Sequence, residues 1–445
     1  MKRRFSMTAG LAVLSAVFAL SGCGGGGNSG GADKDTSGQD EEGSKEILFW
    51  NTGTGETDKL IYETAVKKFN ESTKSGYHIT SVASEPDVYK EKIVIAMSSG
   101  ECPDLYANWS GGPMNEYIEA GYGQPIDELF DKNQIKDKMQ EAAIAQGHYK
   151  GKMYSIGVLN DSIAGIFYNK EMFQEYGLEV PKTVAELEQV SDTLAANGKI
   201  PFALANEAKW TGSMFFMSLA AREGGLEPFD KAVAGEGSFE DESFLYAGRK
   251  IQEWVEKDYF PEGVNSLSEG DGQGRQLLYQ EKAAMILMGS WYTSTMQSES
   301  GEFYEKVGWF PFPAIEGKEE NGDIVIGTIG DQFFTFNCTG EKQQAAFQFI
   351  ETFFDDDMVE LMVEQGKIPP VKGVEDMIKD PVCLQILDAV NRAPATQLWY
   401  DQYLPPEVGQ MHLDTCQDLF GLTTTPEDAA AKFQDAMEKY NAERK

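Results

Sequence analysis

Apolar and polar positions fall into alternating blocks along this chain. Residues 46–50 (Glu-Ile-Leu-Phe-Trp) make an apolar run of strand length, followed by the polar loop Asn51-Thr52-Gly53-Thr54-Gly55-Glu56. Leu60, Ile61, Ala65, Val66 and Phe69 then recur at the spacing of one helix face. A strand over 77–83, a helix around 88–98 and a short strand over 104–107 complete a β-α-β-α-β order. That order predicts a largely parallel sheet covered by helices. Ligands of such sheets bind at the carboxyl ends of the strands, where the loops 51–56 and 108–112 lie.

The alternation continues. Residues 155–168 are apolar but interrupted by Asn160-Asp161-Ser162, and a helix over 170–176 follows. Thr183 and Glu186 are spaced as a capping box for the next helix. The loop Asn206-Glu207-Ala208-Lys209-Trp210 leads into a helix from Met214. A strand over 282–288 ends in Gly289-Ser290-Trp291, residues 308–313 form another strand-like crossing, and a strand over 331–337 precedes a helix over 343–354. Thr425 before Pro426 reads as an N-cap with proline at the first helical position. No repeat of fixed period is visible.

The first residues have a different character. Lys2, Arg3 and Arg4 precede an apolar stretch over 7–20, shorter than the roughly 20 residues a bilayer-spanning helix needs. This is the pattern of a secretory signal peptide, expected over 1–22. It ends in Leu20-Ser21-Gly22-Cys23, which resembles a bacterial lipobox, so Cys23 is the expected lipidation site. Residues 23–45 are mostly small or polar and are expected to form a flexible tether. The expected location is the outer face of the cell membrane, with the membrane touched only through the lipid anchor. Gly27-Asn28-Ser29-Gly30-Gly31 matches G-x-S-x-G, but within the tether it lacks the strand-to-helix turn that would make its serine a nucleophile.

The remaining roughly 400 residues exceed one comfortable domain and suggest two lobes. The formal charge of −34 becomes three units more negative without the leader. Such a surface repels nucleic acid and anionic lipid and suits a neutral ligand. Cys102, Cys338, Cys383 and Cys416 show no zinc or C-x-x-C spacing, and both two disulfides and free thiols are open readings. No phosphate-binding G-x-x-x-x-G-K-[ST] and no H-E-x-x-H is present. His78, His148 and His412 are far apart, so no metal or cofactor is expected. A glycosidase pair of carboxylates, which needs a separation of roughly 5–10 Å, is the main enzymatic alternative.

Of the seven tryptophans, Trp50, Trp254 and Trp309 sit in apolar patterns and read as core. Trp109, Trp210, Trp291 and Trp399 each lie in or beside a polar loop. A pyranose offers apolar C–H faces and a rim of hydroxyls, which matches flat aromatic faces flanked by amides and carboxylates.

At this point the chain resembles the extracellular solute-binding proteins of ABC-type sugar importers, including maltodextrin- and raffinose-type receptors. The resemblance rests on the lipobox with its tether and on Gly100-Glu101-Cys102-Pro103-Asp104-Leu105. Further matches are 167–173 (Phe-Tyr-Asn-Lys-Glu-Met-Phe) with Pro181-Lys182-Thr183, 283–291 (Ala-Ala-Met-Ile-Leu-Met-Gly-Ser-Trp) and Gln397-Leu398-Trp399-Tyr400-Asp401. The resemblance implies an α/β, two-lobe, periplasmic-binding-protein-like fold, each lobe a mostly parallel sheet flanked by helices, with the ligand in the cleft between them. The crossings between lobes would fall near 157–160, 310–313 and 366–370. The first lobe would then comprise 46–158 plus 314–362 and the second 159–313 plus 363–445. The first lobe would offer Asn51, Glu56, Asn108 and Trp109 to the ligand. The second would offer Asp161, Glu207, Trp210, Trp291, Trp399, Asp401 and Gln402, with Asp331 near a crossing. Trp210 and Trp291 are the expected stacking platforms.

The implied function is capture of a neutral oligosaccharide by hinge closure and delivery to the permease subunits of an ABC importer, by a monomer that is not an enzyme. Asp401-Gln402 after an aromatic pair resembles receptors for α-galactosides such as raffinose. Some of those carry histidine where Gln402 stands, so xylo-, manno- and gluco-oligosaccharides stay open. Peptides or polyols are the non-sugar alternatives.

Overall fold

The computed structural model describes residues 45–443, so the expected signal peptide, Cys23 and almost all of the expected tether lie outside the described residues. Lys45, taken as the last tether residue, opens the first strand. Among the described residues no helix is long and apolar enough to cross a membrane.

Two sheets organise the chain. The first has five strands in the spatial order Tyr77–Ala83, Lys45–Asn51, Leu105–Asn108, Phe333–Phe336 and Ser155–Gly157. The first three run parallel, and Phe333–Phe336 is antiparallel to both of its neighbours. The second sheet is built around Asp161–Asn169, which pairs antiparallel with Ala283–Gly289, Val307–Phe310 and Val325–Ile329. Ile200–Phe202 and Thr396–Gln397 extend it in parallel. Each sheet is therefore mostly parallel with one reversed strand. Both reversed strands are the ones the chain enters directly after crossing from the other lobe.

Aromatic rings cement the first lobe. Phe49 meets Phe334 edge to face at 5.0 Å and Phe349 at 5.2 Å, with Tyr62 closing the cluster. Burial of side chains of this size contributes about 1.5–3 kcal/mol each. Local signals in the chain also appear as expected. Thr183 Oγ1 accepts from the Glu186 N–H while Glu186 accepts from the Thr183 N–H. Thr425 Oγ1 accepts from the Asp428 N–H at the start of the last helix. Cys102, Cys338, Cys383 and Cys416 are all free thiols.

One expected boundary moves. Residues 310–313 do not leave the second lobe. After Val307–Phe310 the chain stays there, bridging Ala314 to Thr183 and pairing Val325–Ile329 with Asp161–Ile163. The crossing falls instead at 330–332, so 314–329 belong to the second lobe. The cause is Arg222, only 2% exposed. Its guanidinium donates to the carbonyls of Phe312, Asn321 and Ile324 at 2.8–3.0 Å. Buried donors need such acceptors, and together they staple the segment to the helix Trp210–Gly224. Pro311 and Pro313 end a strand without redirecting the chain.

The three crossings meet at one side chain. Asn160 is 1% exposed and lies on the first crossing. Its carbonyl accepts from the Asp331 N–H of the second crossing at 2.6 Å. Its Oδ1 accepts from the Ile368 N–H of the third at 2.7 Å, and its Nδ2 donates to Ser290 Oγ at 3.1 Å. Asp161, next in the chain, is fully buried, and its Oδ2 accepts from Gln140 Nε2 at 3.2 Å. Burial pushes its carboxyl up to about 7, opposed by the Gln140 and Gly330 hydrogen bonds.

Replacing Asn160 with Ala is expected to cost about 2–4 kcal/mol in urea unfolding, because the Ile368 N–H is left buried without its acceptor. A loss under about 1 kcal/mol would contradict the role given to this amide. Asp161 makes a second prediction. Its folded value lies above the unfolded value of about 3.9. The folded state therefore holds the extra proton, and this group's contribution falls as pH rises from about 4 to 7. Asp161→Asn mimics the neutral acid, so its melting temperature is expected to gain on the parent's between pH 4 and pH 8. A difference independent of pH would refute this.

Candidate functional site

A cavity of about 690 Å³ lies between the two sheets, within the range of small-molecule sites. Strand ends deliver its walls. Lys45–Asn51 runs into the loop carrying Thr52 and Thr54, and the helix Glu56–Ser72 starts at its rim. Leu105–Asn108 ends just before Trp109. From the second lobe, Ala283–Gly289 leads to Trp291, the helix Trp210–Gly224 starts with Trp210, and Trp399 precedes the short helix Tyr400–Tyr403.

Three tryptophans form a continuous wall on the second lobe. Trp291 stands 6.1 Å from Trp210 at 56° and 6.1 Å from Trp399 at 65°. Trp291 folds back over Gly289, where a Cβ would come within 1.9 Å of its ring. Only glycine leaves room for the indole there. Trp399 is 3% exposed and backs the other two. Trp109 belongs to the first lobe, held edge-on by Tyr89, with Lys90 Nζ 5.2 Å from its ring centre.

The remaining wall is polar and acidic. Eight carboxylates line the cavity against three cations, Lys90, Arg275 and Lys367, so an anionic ligand is disfavoured. At the hinge end Lys367 Nζ lies 2.6 Å from Asp58 Oδ1. Burial pushes the neighbouring Asp331 carboxyl up to about 6, with Lys367 opposing. At the other end Arg275 grips Glu299 through Nε and Nη2 at 2.6 and 2.8 Å, and Glu269 through Nη1 at 3.1 Å. Burial pushes Glu269 up to about 7, opposed by the hydrogen bond from Tyr292 and by Arg275. Burial also raises Asp401, with Lys90 opposing. Gln332 Oε1, Gln402 Oε1 and Glu269 Oε2 are buried without a hydrogen-bond partner among the described residues. Unpaired buried acceptors cost free energy that ligand hydroxyls would recover.

The lobes also touch beside the cavity. A Cβ on Gly112 would lie 2.1 Å from the Leu404 carbonyl oxygen, so backbone meets backbone there. Glu56 Oε2 lies 3.4 Å from Ser298 Oγ across the cleft.

The structure brings together eight of the expected residues. Glu56, Trp109, Trp210 and Trp291 line the cavity, as do Asp331, Trp399, Asp401 and Gln402. Three others stand behind it. Asn51 is spent on Ser81 Oγ and the Gly53 N–H, Asn108 accepts from the Trp109 N–H, and Asp161 is buried in the hinge. These polar side chains shape the loops rather than face the cleft. Glu207 lies outside the main cavity, on an adjoining one, because Asn206 and Thr211 fold the loop so that Trp210 comes inward. Asp58, Lys367, Glu269 and Arg275 line the cavity without having been expected. Lys367 carried a weak signal, a lone cation before Ile368-Pro369-Pro370. Glu269 and Arg275 lie in a stretch with no pattern to read.

The chain is similar to several known proteins. It is 27% identical over 276 residues to an uncharacterised ABC transporter extracellular-binding protein of Pyrococcus horikoshii, a match spanning 60% of each chain. It is 25% identical to the multiple sugar-binding protein of Streptococcus mutans over 81% of each. It is 20% identical to the melibiose/raffinose/stachyose-binding protein of Bacillus subtilis over 65% of each. A solved structure from work on xylan utilisation by the thermophilic bacterium Caldanaerobius polysaccharolyticus superimposes with a TM-score of 0.78 and 26% identity, covering 88% of this chain and 99% of that one. The family model of the bacterial extracellular solute-binding proteins matches residues 53–360. Family match, two-lobe fold and interlobe cavity agree, and the chain belongs to the bacterial extracellular solute-binding proteins.

Proposed function

We propose that this chain is a receptor that captures a neutral oligosaccharide in the interlobe cleft and hands it to an ABC importer. The observation that carries this reading is the pairing of walls. Trp210 and Trp291, with Trp399 packed behind Trp291, offer stacking surface on one lobe, and carboxylates and amides with unpaired acceptors complete the cavity. Sugars need both at once. Stacking contributes through burial of C–H faces, and charge-assisted hydrogen bonds from hydroxyls to Asp401 or Asp331 are the stronger kind. The relatives named for multiple sugars and for melibiose, raffinose and stachyose support the class. α-Galactosides are the first sugars to test, because Asp401-Gln402 follows an aromatic pair as in raffinose-type receptors; xylo-, manno- and gluco-oligosaccharides come next.

Capture would work by population shift. The lobes open and close about the three crossings, and ligand favours the closed form by the contacts only that form makes. Cys23 would carry the lipid that holds the receptor at the outer face of the cell membrane, with the tether expected over 23–45, whose last residue opens the first strand. More than one acyl chain is needed for stable anchoring.

Thermal-shift measurement with raffinose, stachyose, xylotriose, mannotriose and maltotriose is expected to raise the melting temperature with at least one, since a ligand of the native state must stabilise it. The sugar should be recovered uncleaved. Trp291→Ala should weaken binding tenfold or more, about 1.4 kcal/mol. If no sugar stabilises the protein, the reading fails. Cys23→Ala, expressed in a bacterial host, is expected to move the protein from the detergent-rich phase to the aqueous phase; unchanged partitioning would remove the anchor.

A further inference from the structure

A second chamber of about 600 Å³ adjoins the main cavity. Glu207, Lys209, Ser268, Asp271, Gln410 and Leu413 line it and not the first. The two chambers share a ring of six residues. Glu85, Asp87 and Lys90 come from the start of the helix Pro86–Ser99 in the first lobe, and Trp210, Glu269 and Gly270 come from the second. The ring is a portal with one jamb on each lobe.

Its walls are held in place. Glu85 accepts from the N–H groups of Asp87 and Val88. Arg275 donates to the Glu269 carbonyl at 2.9 Å as well as to its carboxylate. Gly270 stands at the junction of the two chambers. A Cβ there would meet only Glu85 Oε1 at 3.8 Å and Ser268 Oγ at 3.9 Å, and its φ is not in the left-handed region. Neither the backbone nor the space at the Cβ requires glycine here, and only a long side chain would reach into the junction of the two chambers. The far chamber differs from the near one in chemistry. Trp210 is its only tryptophan, shared through the portal, and the rest is mainly hydrogen-bonding. Lys209 Nζ and Gln410 Nε2 both hold Asp414, at 2.6 and 2.8 Å.

We propose that the portal is a passage through which an oligosaccharide stacked on the tryptophan wall extends into the second chamber. The closed receptor then accepts neutral chains longer than the main cavity holds, with the outer unit hydrogen-bonded by Glu207, Asp271 and Gln410. The inference rests on the sugar-receptor reading above. It gives Glu207, absent from the main cavity, a place at the outer end of the ligand.

The test is calorimetric titration with three ladders: raffinose to verbascose, maltose to maltohexaose, and xylobiose to xylohexaose. In the ladder that binds, affinity is expected to rise at least tenfold from the shortest to the longest member. Gly270→Leu, which fills the portal, should abolish that gain. Gln410→Ala should weaken the longest member at least threefold and leave the shortest unchanged; it serves alone if the Gly270 variant does not unfold like the parent. A ladder that binds with no dependence on length would overturn the passage while leaving the sugar reading intact, as would a Gln410 variant that affects all lengths equally or none. Absence of binding by every ladder would overturn both.

Discussion

The hydrogen bonds of Asn160 are the constraint on which this architecture depends. Three separate strands of chain must pass between lobes, and each exposes backbone groups where no sheet can satisfy them. One buried amide and its own carbonyl take up a donor from each of the other two crossings, and the amide nitrogen reaches Ser290 at the start of the tryptophan-bearing turn. Ser290 Oγ in turn donates to the Asp161 carbonyl. The crossings are thereby held in register with each other and with the loop that presents Trp291. The knot therefore fixes where the two lobes join and where the loop bearing Trp291 begins.

The two lobes contribute different chemistry. The second lobe supplies stacking surface that is already assembled, since its tryptophans pack on each other and on Gly289 without help from the first lobe. The first lobe supplies Glu56, Asp58, the Glu85–Lys90 turn and Trp109. A ligand in the cleft would touch aromatic and polar groups of both lobes, with most of the stacking surface on the second. Contacts made in one state only are what shift a two-state balance. Acidic groups predominate in the cavity, yet several are already committed: Asp58 to Lys367, and Glu269 and Glu299 to Arg275. Gln332, Gln402 and one oxygen of Glu269 keep unpaired acceptors, which suits a partner made of neutral hydroxyl donors.

Much was legible before any coordinates. The strand–helix alternation, the capping box at Thr183 and the break at Asn160-Asp161-Ser162 are local signals, carried by periodicity and by side chains that bond their own backbone. Tryptophans in polar loops were legible for a related reason, since a large apolar ring beside hydrophilic neighbours conflicts with its surroundings unless something covers it. Arg222 shows where such reading stops. A lone arginine in an apolar helix does not announce that it will collect three carbonyls from residues some hundred positions away, and the family resemblance alone, with its crossing near 310–313, does not reveal it.

The chain by itself determined the α/β class, the two-lobe size, the strongly acidic composition and the aromatic residues available for stacking, because composition and short-range spacing are properties of the chain. Only the tertiary structure decided which polar residues face the cleft and which stand behind it. Asn51, Asn108 and Asp161 look no different in sequence from Asp331 or Gln402. Their burial and partners depend on segments brought together from far along the chain. For the same reason Lys367 met Asp58, and Glu269 met Arg275 and Tyr292.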